Sequence, residues 1–342
     1  MRVRGGGGGR DRDRRGEAAQ GGAPQESSRS RATGRLHGGE HRTASVSPAC
    51  YTLAVAWTTL TVLDWTTQRF TEAGIAGARL EAQLLLAHVL RCSRMQLYTG
   101  FDKPLAEPEL AGYRELIKRR LGGEPVSYLL GEQEFWGLPF YVDASVLVPR
   151  PDTETVIEVA RSFRPDPAAP CRVLDLCTGS GAIAISLAKE LPGAHVIATE
   201  LSPEAAAIAR RNAERNGVAD RVEVRQGDLF APVAGERFDL ITANPPYIAT
   251  AVLATLSAEV RREPPLALDG GPDGLVFYDR ICAAASAHLA PGGAIVLEHG
   301  YDQAEPVQAR LEAAGLLRVT LVRDLAKNPR VTSGVLPDTL AA

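Results

Sequence analysis

From residue 152 onward, short β-branched runs alternate with stretches of helical period, and this alternation limits the fold more than any other feature of the chain. Strands are predicted at 171–176, 194–199, 221–226, 238–243 and 293–298, and helices at 152–163, 181–190, 203–216, 274–289 and 302–313. Alternation with short loops builds a parallel sheet covered on both faces. Two late strands, near 317–323 and 331–336, have no helix between them and are expected as an antiparallel edge pair. The expectation is an α/β, Rossmann-like, mostly parallel seven-stranded sheet. Ligands of such sheets bind outside the carboxyl ends of the strands.

The residues before this domain have other periods. Within 55–130, Leu60, Leu63, Trp65 and Phe70 lead into Gly74, then Leu80, Leu84, Leu85, Ala87, His88 and Leu90 recur at helical spacing. Leu110, Tyr113, Leu116, Ile117 and Leu121 follow, and Gly122-Gly123 stops the run. This predicts a small N-terminal helical bundle, with Met95 and the aromatics in its core and His88 packed on the apolar side of its helix. Residues 131–150 take the strand period, over Phe135–Val142 and Val146–Val148. A turn at Asp143-Ala144-Ser145 would make them a β-hairpin linking the bundle to a second domain at 151–337. Residues 1–47 hold ten Arg, five acids and 11 of the 33 glycines. So little apolar surface does not offset ordering entropy, and the segment is expected to be disordered.

Composition excludes several classes. The net charge is −3, and outside the basic head 28 Lys and Arg face 36 Asp and Glu. An acidic body is not built to grip a phosphate backbone over a wide face, so no direct nucleic-acid partner is expected. No apolar run reaches the roughly 18–20 residues of a membrane span. Five cysteines, an odd number without zinc-ligand spacing, suggest neither a disulfide framework nor a metal site; Cys171 and Cys177 are expected buried and reduced. A cytoplasmic protein is the expectation.

Three strand ends describe one kind of ligand. The first strand runs into Asp175, then Cys177-Thr178-Gly179-Ser180-Gly181, with a helix opening directly after. Glycines there let the backbone approach a ligand, and the helix start offers unpaired N–H groups. Asp175 suits a ligand carrying an ammonium group and repels a pyrophosphate. Glu200 ends the second strand, where an acid accepts hydrogen bonds from ribose hydroxyls. After the third strand, Asp228 and Leu229 form a reasonable adenine pocket. Together these ends describe an adenosine-bearing ligand without choosing which one.

The fourth strand runs into Asn244-Pro245-Pro246-Tyr247, and this segment makes the choice. An amine on an sp² carbon is a poor nucleophile because its lone pair is delocalised. Asn244 offers a side-chain carbonyl and Pro245 a backbone carbonyl, two acceptors for the two N–H bonds of one planar amine. The prolines fix φ and remove competing donors. Tyr247 can lie against the flat group and exclude water. Holding the amine in this way aims nitrogen at a methyl sulfonium and stabilises charge growing on it. Methyl transfer to a planar nitrogen is the reading.

Asp175–Gly181 followed by Asn244–Tyr247 resembles a class I S-adenosylmethionine-dependent methyltransferase. Over about 58–337 the chain is similar, more narrowly, to the HemK/PrmC-type glutamine N5-methyltransferases of peptide-chain release factors. That resemblance is carried by Glu124–Gly131, Phe135-Trp136-Gly137, Val148–Glu154, Glu263–Leu275, Arg323-Asp324-Leu325 and Arg330-Val331. It implies S-adenosyl-L-methionine as cofactor, with S-adenosyl-L-homocysteine as product. The cofactor would lie on 177–181, Glu200, Asp228, Leu229 and Asn244, with Asp175 beside them. The substrate would be the glutamine of the Gly-Gly-Gln loop of bacterial-type release factors, placed on Asn244, Pro245, Pro246 and Tyr247. The bundle and hairpin would help to hold the release factor, and the enzyme would act as a monomer.

Four positions depart from the commoner pattern: Cys177 and Lys327 where Gly is usual, Glu200 where Asp is usual, and Leu229 where an aromatic can occur. A sister enzyme acting on a large-subunit ribosomal protein would share Asn244–Tyr247, but Pro149–Glu154 resembles the release-factor branch. An adenine-amine methyltransferase would need a basic face. A nicotinamide-dependent oxidoreductase would leave Asn244–Tyr247 without a role, and intact strand ends speak against a decayed binding module.

Overall fold

The computed structural model describes residues 57–338; the Gly/Arg-rich segment 1–47 lies outside the described residues. Five helices come first: α1 (Thr59–Glu72), α2 (Ala78–Leu90), α3 (Arg94–Thr99), α4 (Glu107–Leu121) and α5 (Val126–Leu130). Their shared core holds Phe70, Leu85, Leu86, Tyr113 and Ile117. The Tyr113 hydroxyl donates to the Ala82 carbonyl at 2.9 Å, so its polar end is satisfied inside that core. Met95, His88 and the aromatics Trp65, Tyr98 and Phe101 do not join it, the three rings being about half exposed. Met95 is 72% exposed, because short α3 buries only Leu97. His88 follows the buried run Leu85–Ala87 and lies on the solvent side of the last turn of α2.

Two strands, β1 (Glu132–Phe135) and β2 (Leu138–Tyr141), form the hairpin. Its turn is Trp136-Gly137, not 143–145 as the sequence suggested. Both turn residues have positive φ, 53° and 69°, which matches the twist of a two-residue hairpin loop. Trp136 is fixed there by Glu154, which accepts from its backbone N–H at 2.8 Å, and by Glu190, which accepts from its indole at 2.8 Å. Asp143 instead makes a local turn onto the Ser145 N–H, and no strand is assigned to Val146–Val148.

The remaining elements are α6 (Glu154–Ser162), β3 (Cys171–Leu176), α7 (Ala182–Glu190), β4 (Ala194–Glu200), α8 (Pro203–Arg215), β5 (Val222–Gln226), β6 (Phe238–Ala243), α9 (Val276–His288), β7 (Leu289–Glu298), α10 (Ala304–Ala313), β8 (Leu317–Arg323) and β9 (Pro329–Val335). The seven-stranded sheet has the order β5-β4-β3-β6-β7-β9-β8. Five strands are parallel, and β9 runs antiparallel to both β7 and β8. The chain steps one way from β3 and returns to β6 on its other side, so a crevice opens between the carboxyl ends of these two strands. Two apolar clusters, one on each face, bury β3, β4, β6 and β7. No helix among the described residues is long and apolar enough to cross a membrane.

The hairpin is tied to this sheet through α8. The Asn212 side chain accepts from the Tyr141 N–H at 2.7 Å and donates to the Tyr141 carbonyl at 3.0 Å, standing in for a neighbouring strand. The same amide donates to the Ser180 carbonyl at 2.9 Å. The bundle is tied through Arg120, whose guanidinium binds Glu81 and reaches Glu259 at 2.7 Å. Removing it strands the mostly buried Glu81 carboxylate. Arg120→Ala is expected to lower stability by roughly 3 kcal/mol, read as a shift in the urea midpoint; an unchanged midpoint would contradict this.

Candidate active site

A cavity of about 360 Å³ opens where β3 and β6 part. Most residues singled out in the sequence meet there: Cys177, Thr178, Gly179, Ser180, Glu200, Asp228, Leu229, Asn244 and Pro246 all line it. Gly181, Pro245, Tyr247 and Asp175 do not. Gly181 sits behind the loop at φ 82°, where an added Cβ would come within 2.9 Å of Ile185, so glycine lets α7 start close to the loop. Pro245 is buried, and Tyr247 packs against the apolar cluster beneath.

Asp175 is fully buried under the loop. Its carboxylate accepts from the Thr178 hydroxyl at 2.6 Å and from the Thr242 hydroxyl at 2.8 Å, tying the β3 loop to β6. Burial pushes its pKa up to about 7, against the pull of these two hydroxyls.

Glu200 is buried at the end of β4, one oxygen accepting from the Gly179 N–H at 2.8 Å and the other from the Ser202 N–H at 2.9 Å. Each carboxylate oxygen has a further lone pair, enough for a pair of ribose hydroxyls. Asp228 is held by Arg280, which donates to it at 2.5 Å. The charged lining residues are Glu200, Glu204, Asp228 and Arg150, and Arg150 is already paired with the buried Glu263. This acidic lining fits a ligand with a sulfonium and an ammonium group and disfavours a pyrophosphate.

Two of the departures from the family pattern stand at strained backbone. Cys177 and Lys327 stand at φ 56° and 67°, the left-handed region that favours the glycine usual there. Leu229 is at φ 46° as well. Cys171 is buried as expected, whereas Cys177 is only partly buried because it lines the cavity; desolvation and the nearby Glu200, Asp175 and Asp228 carboxylates still hold its thiol well above its ordinary pKa, so it stays neutral.

Asn244 follows the last residue of β6, and its Nδ2 donates to the Thr153 hydroxyl at 3.2 Å. The segment after it is braced from both sides. The Gln303 side chain donates to the Tyr247 carbonyl at 2.9 Å. Gly270 and Gly274 press on Tyr247 so closely that added Cβ atoms would fall 2.8 Å from its Cα and 2.3 Å from its carbonyl oxygen. Burial lifts the Tyr247 phenol to about 12, so it remains neutral.

Three contributors were not read from the sequence. Thr153 lines the cavity and Glu298 is buried at the end of β7, next to β6. Glu263 fastens a strap by accepting from the Val148 N–H and from Arg150. An acid ending a strand, as at Glu200, was the available signal for Glu298.

Asp175 supplies a test of this architecture. A carboxyl whose folded pKa is raised binds its proton more tightly in the native state, so it costs stability as pH rises from 3.8 toward about 7. Wild type is therefore expected to lose stability relative to Asp175→Asn over that window, in denaturation curves taken at each pH. Parallel curves for the two proteins would contradict the assignment.

Residues 61–131 match the PrmC N-terminal domain, and residues 163–312 match the methyltransferase small domain. The chain is 49% identical over 279 residues to the release factor glutamine methyltransferase of Geobacter sulfurreducens, covering 81% of this chain and 96% of that protein. It is 47% identical over 259 residues to the enzyme of the same name from Bordetella pertussis, covering 75% and 95% respectively. Among solved structures, the hMettl16 catalytic domain in complex with MAT2A 3'UTR hairpin 1 aligns with a TM-score of 0.50 at 18% identity, over 71% of this chain and 85% of that one, a likeness of fold. The chain belongs to the family of release factor glutamine methyltransferases, which use S-adenosylmethionine.

Proposed function

We propose that this protein methylates the side-chain amide nitrogen of the glutamine in the Gly-Gly-Gln motif of bacterial-type release factors, in the cytoplasm. The observation that carries the reading is the braced Asn244–Tyr247 segment at the rim of an acidic cavity. S-adenosylmethionine, when bound, supplies a methyl group on a positively charged sulfur. Asn244 Oδ1 and the Pro245 carbonyl accept the two N–H bonds of the glutamine amide and turn its nitrogen toward the cavity. Positive charge growing on that nitrogen meets acceptors already in place, which needs no reorganisation. Tyr247, neutral at working pH and packed on the apolar cluster beneath, would close the amide's seat from below and keep water out.

The relatives' names support the substrate class. The helical bundle, joined to the cavity roof through Arg120 and Glu259, is the surface that would hold the body of the release factor.

Transfer of labelled methyl to a purified bacterial release factor tests the reading, beside the same factor with Gly-Gly-Gln changed to Gly-Gly-Ala. Label on the first and none on the second is expected; equal labelling, or none on either, would overturn it. Asn244→Ala should lower turnover about 10²-fold or more while leaving cofactor binding by calorimetry nearly unchanged. Near-wild-type turnover would remove Asn244 from its role.

A further inference from the structure

Glu298 ends β7 beside the active-site strand: Leu297 pairs with Ala243, so Glu298 and Asn244 leave adjacent strand ends together. The Glu298 side chain is 1% exposed, and its Oε2 has no hydrogen-bond partner among the described residues. Buried carboxylates without partners are costly and call for an explanation. Arg330 is close, but its guanidinium is engaged by Asp324 at 3.1 Å and Asp152 at 3.2 Å. Tyr278 donates to the main-chain carbonyl of Glu298 and leaves the carboxylate untouched. The groups facing that carboxylate are Thr153 and Asp152 from the turn before α6, Asn244 and Tyr247 after β6, Tyr278 from α9 and Arg330 from β9.

We propose that Glu298 is a positioning residue which, through Thr153, sets which atom of the Asn244 amide faces the substrate. The inference rests on the acceptor role given to Asn244 above. An ionised carboxylate only accepts, so the two side chains that meet it, Thr153 and Asn244, can only turn hydrogen toward it. Thr153 Oγ1 is then free to accept, and it does so from Asn244 Nδ2 at 3.2 Å. With Nδ2 held inward, Oδ1 is turned toward the substrate nitrogen. Protonated Glu298 reverses the chain: it donates to Thr153, which releases its own hydrogen toward Asn244. The Asn244 amide then gains by rotating, and an NH₂ group confronts the substrate's NH₂. Burial raises Glu298 to about 7 against the pull of Thr153, Arg330 and Asn244, with Asp152 adding to the rise, which puts the reversal near neutral pH.

The test compares turnover, KM and pH profile for wild type, Glu298→Gln, Glu298→Ala, Thr153→Val and Thr153→Ser. Methyl transfer to the release factor and calorimetric cofactor binding are measured side by side. Wild-type kcat should fall as pH drops through about 7. Glu298→Gln keeps an acceptor without a titrating proton, so the acid limb should vanish while part of the turnover remains. Thr153→Val and Glu298→Ala should each lower kcat about 10²-fold, the scale of a misplaced reacting group, with KM and cofactor affinity nearly unchanged. The double variant should be no worse than either, and Thr153→Ser should restore most of the loss. An acid limb that persists in Glu298→Gln, or single losses that multiply, would overturn the proposal even with the wild-type enzyme active. A wild-type enzyme that transfers no methyl to the release factor would overturn the functional reading and this inference with it.

Discussion

The site depends first on the Asp175 carboxylate. It lies below the ligand cavity and binds Thr178 on one side and Thr242 on the other. The crevice exists because β3 and β6 send their following segments apart, and an unbraced crevice would not hold a fixed shape. Asp175 supplies the brace at the point of divergence. It gives the β3 loop and the end of β6 a common anchor. Burying a carboxyl is unfavourable, as its raised pKa records. Two hydroxyl donors and the geometry they fix offset that cost.

A second brace acts from above. The segment 257–275 starts near the bundle, where Arg262 donates to the Gly122 carbonyl, and passes over the cavity at Pro264, Leu266 and Ala267. It then lies against Tyr247 at Gly270 and Gly274. Glu263, in its middle, grips Val148 and Arg150 from the opposite wall. One stretch of chain therefore touches the bundle, covers the cavity and lies against Tyr247.

The positions of strands and helices and the glycine loop after β3 were legible because they rest on local signals: period, glycine placement, and acids at strand ends. Glu200 could be read from its position alone. The hairpin turn could not, because Trp136 takes a left-handed conformation that its side chain disfavours, and Glu154 and Glu190, far along the chain, hold it there. Met95 and His88 misled because apolar character and helical spacing do not reveal that α3 is too short to bury more than one side chain. Thr153, and its meeting with Glu298, had to await the fold. They are 145 residues apart in sequence, and only strand pairing and the turn before α6 bring them to Asn244.

The central claim is that one rigid rim presents a planar amide to an acidic cofactor cavity. A crystal structure with S-adenosylhomocysteine and a bacterial release factor tests it most directly. The account predicts the Gly-Gly-Gln amide nitrogen within hydrogen-bond reach of Asn244 Oδ1 and the Pro245 carbonyl, with the ribose hydroxyls on Glu200. A glutamine seated away from Asn244, or a ribose held by groups other than Glu200, would contradict it.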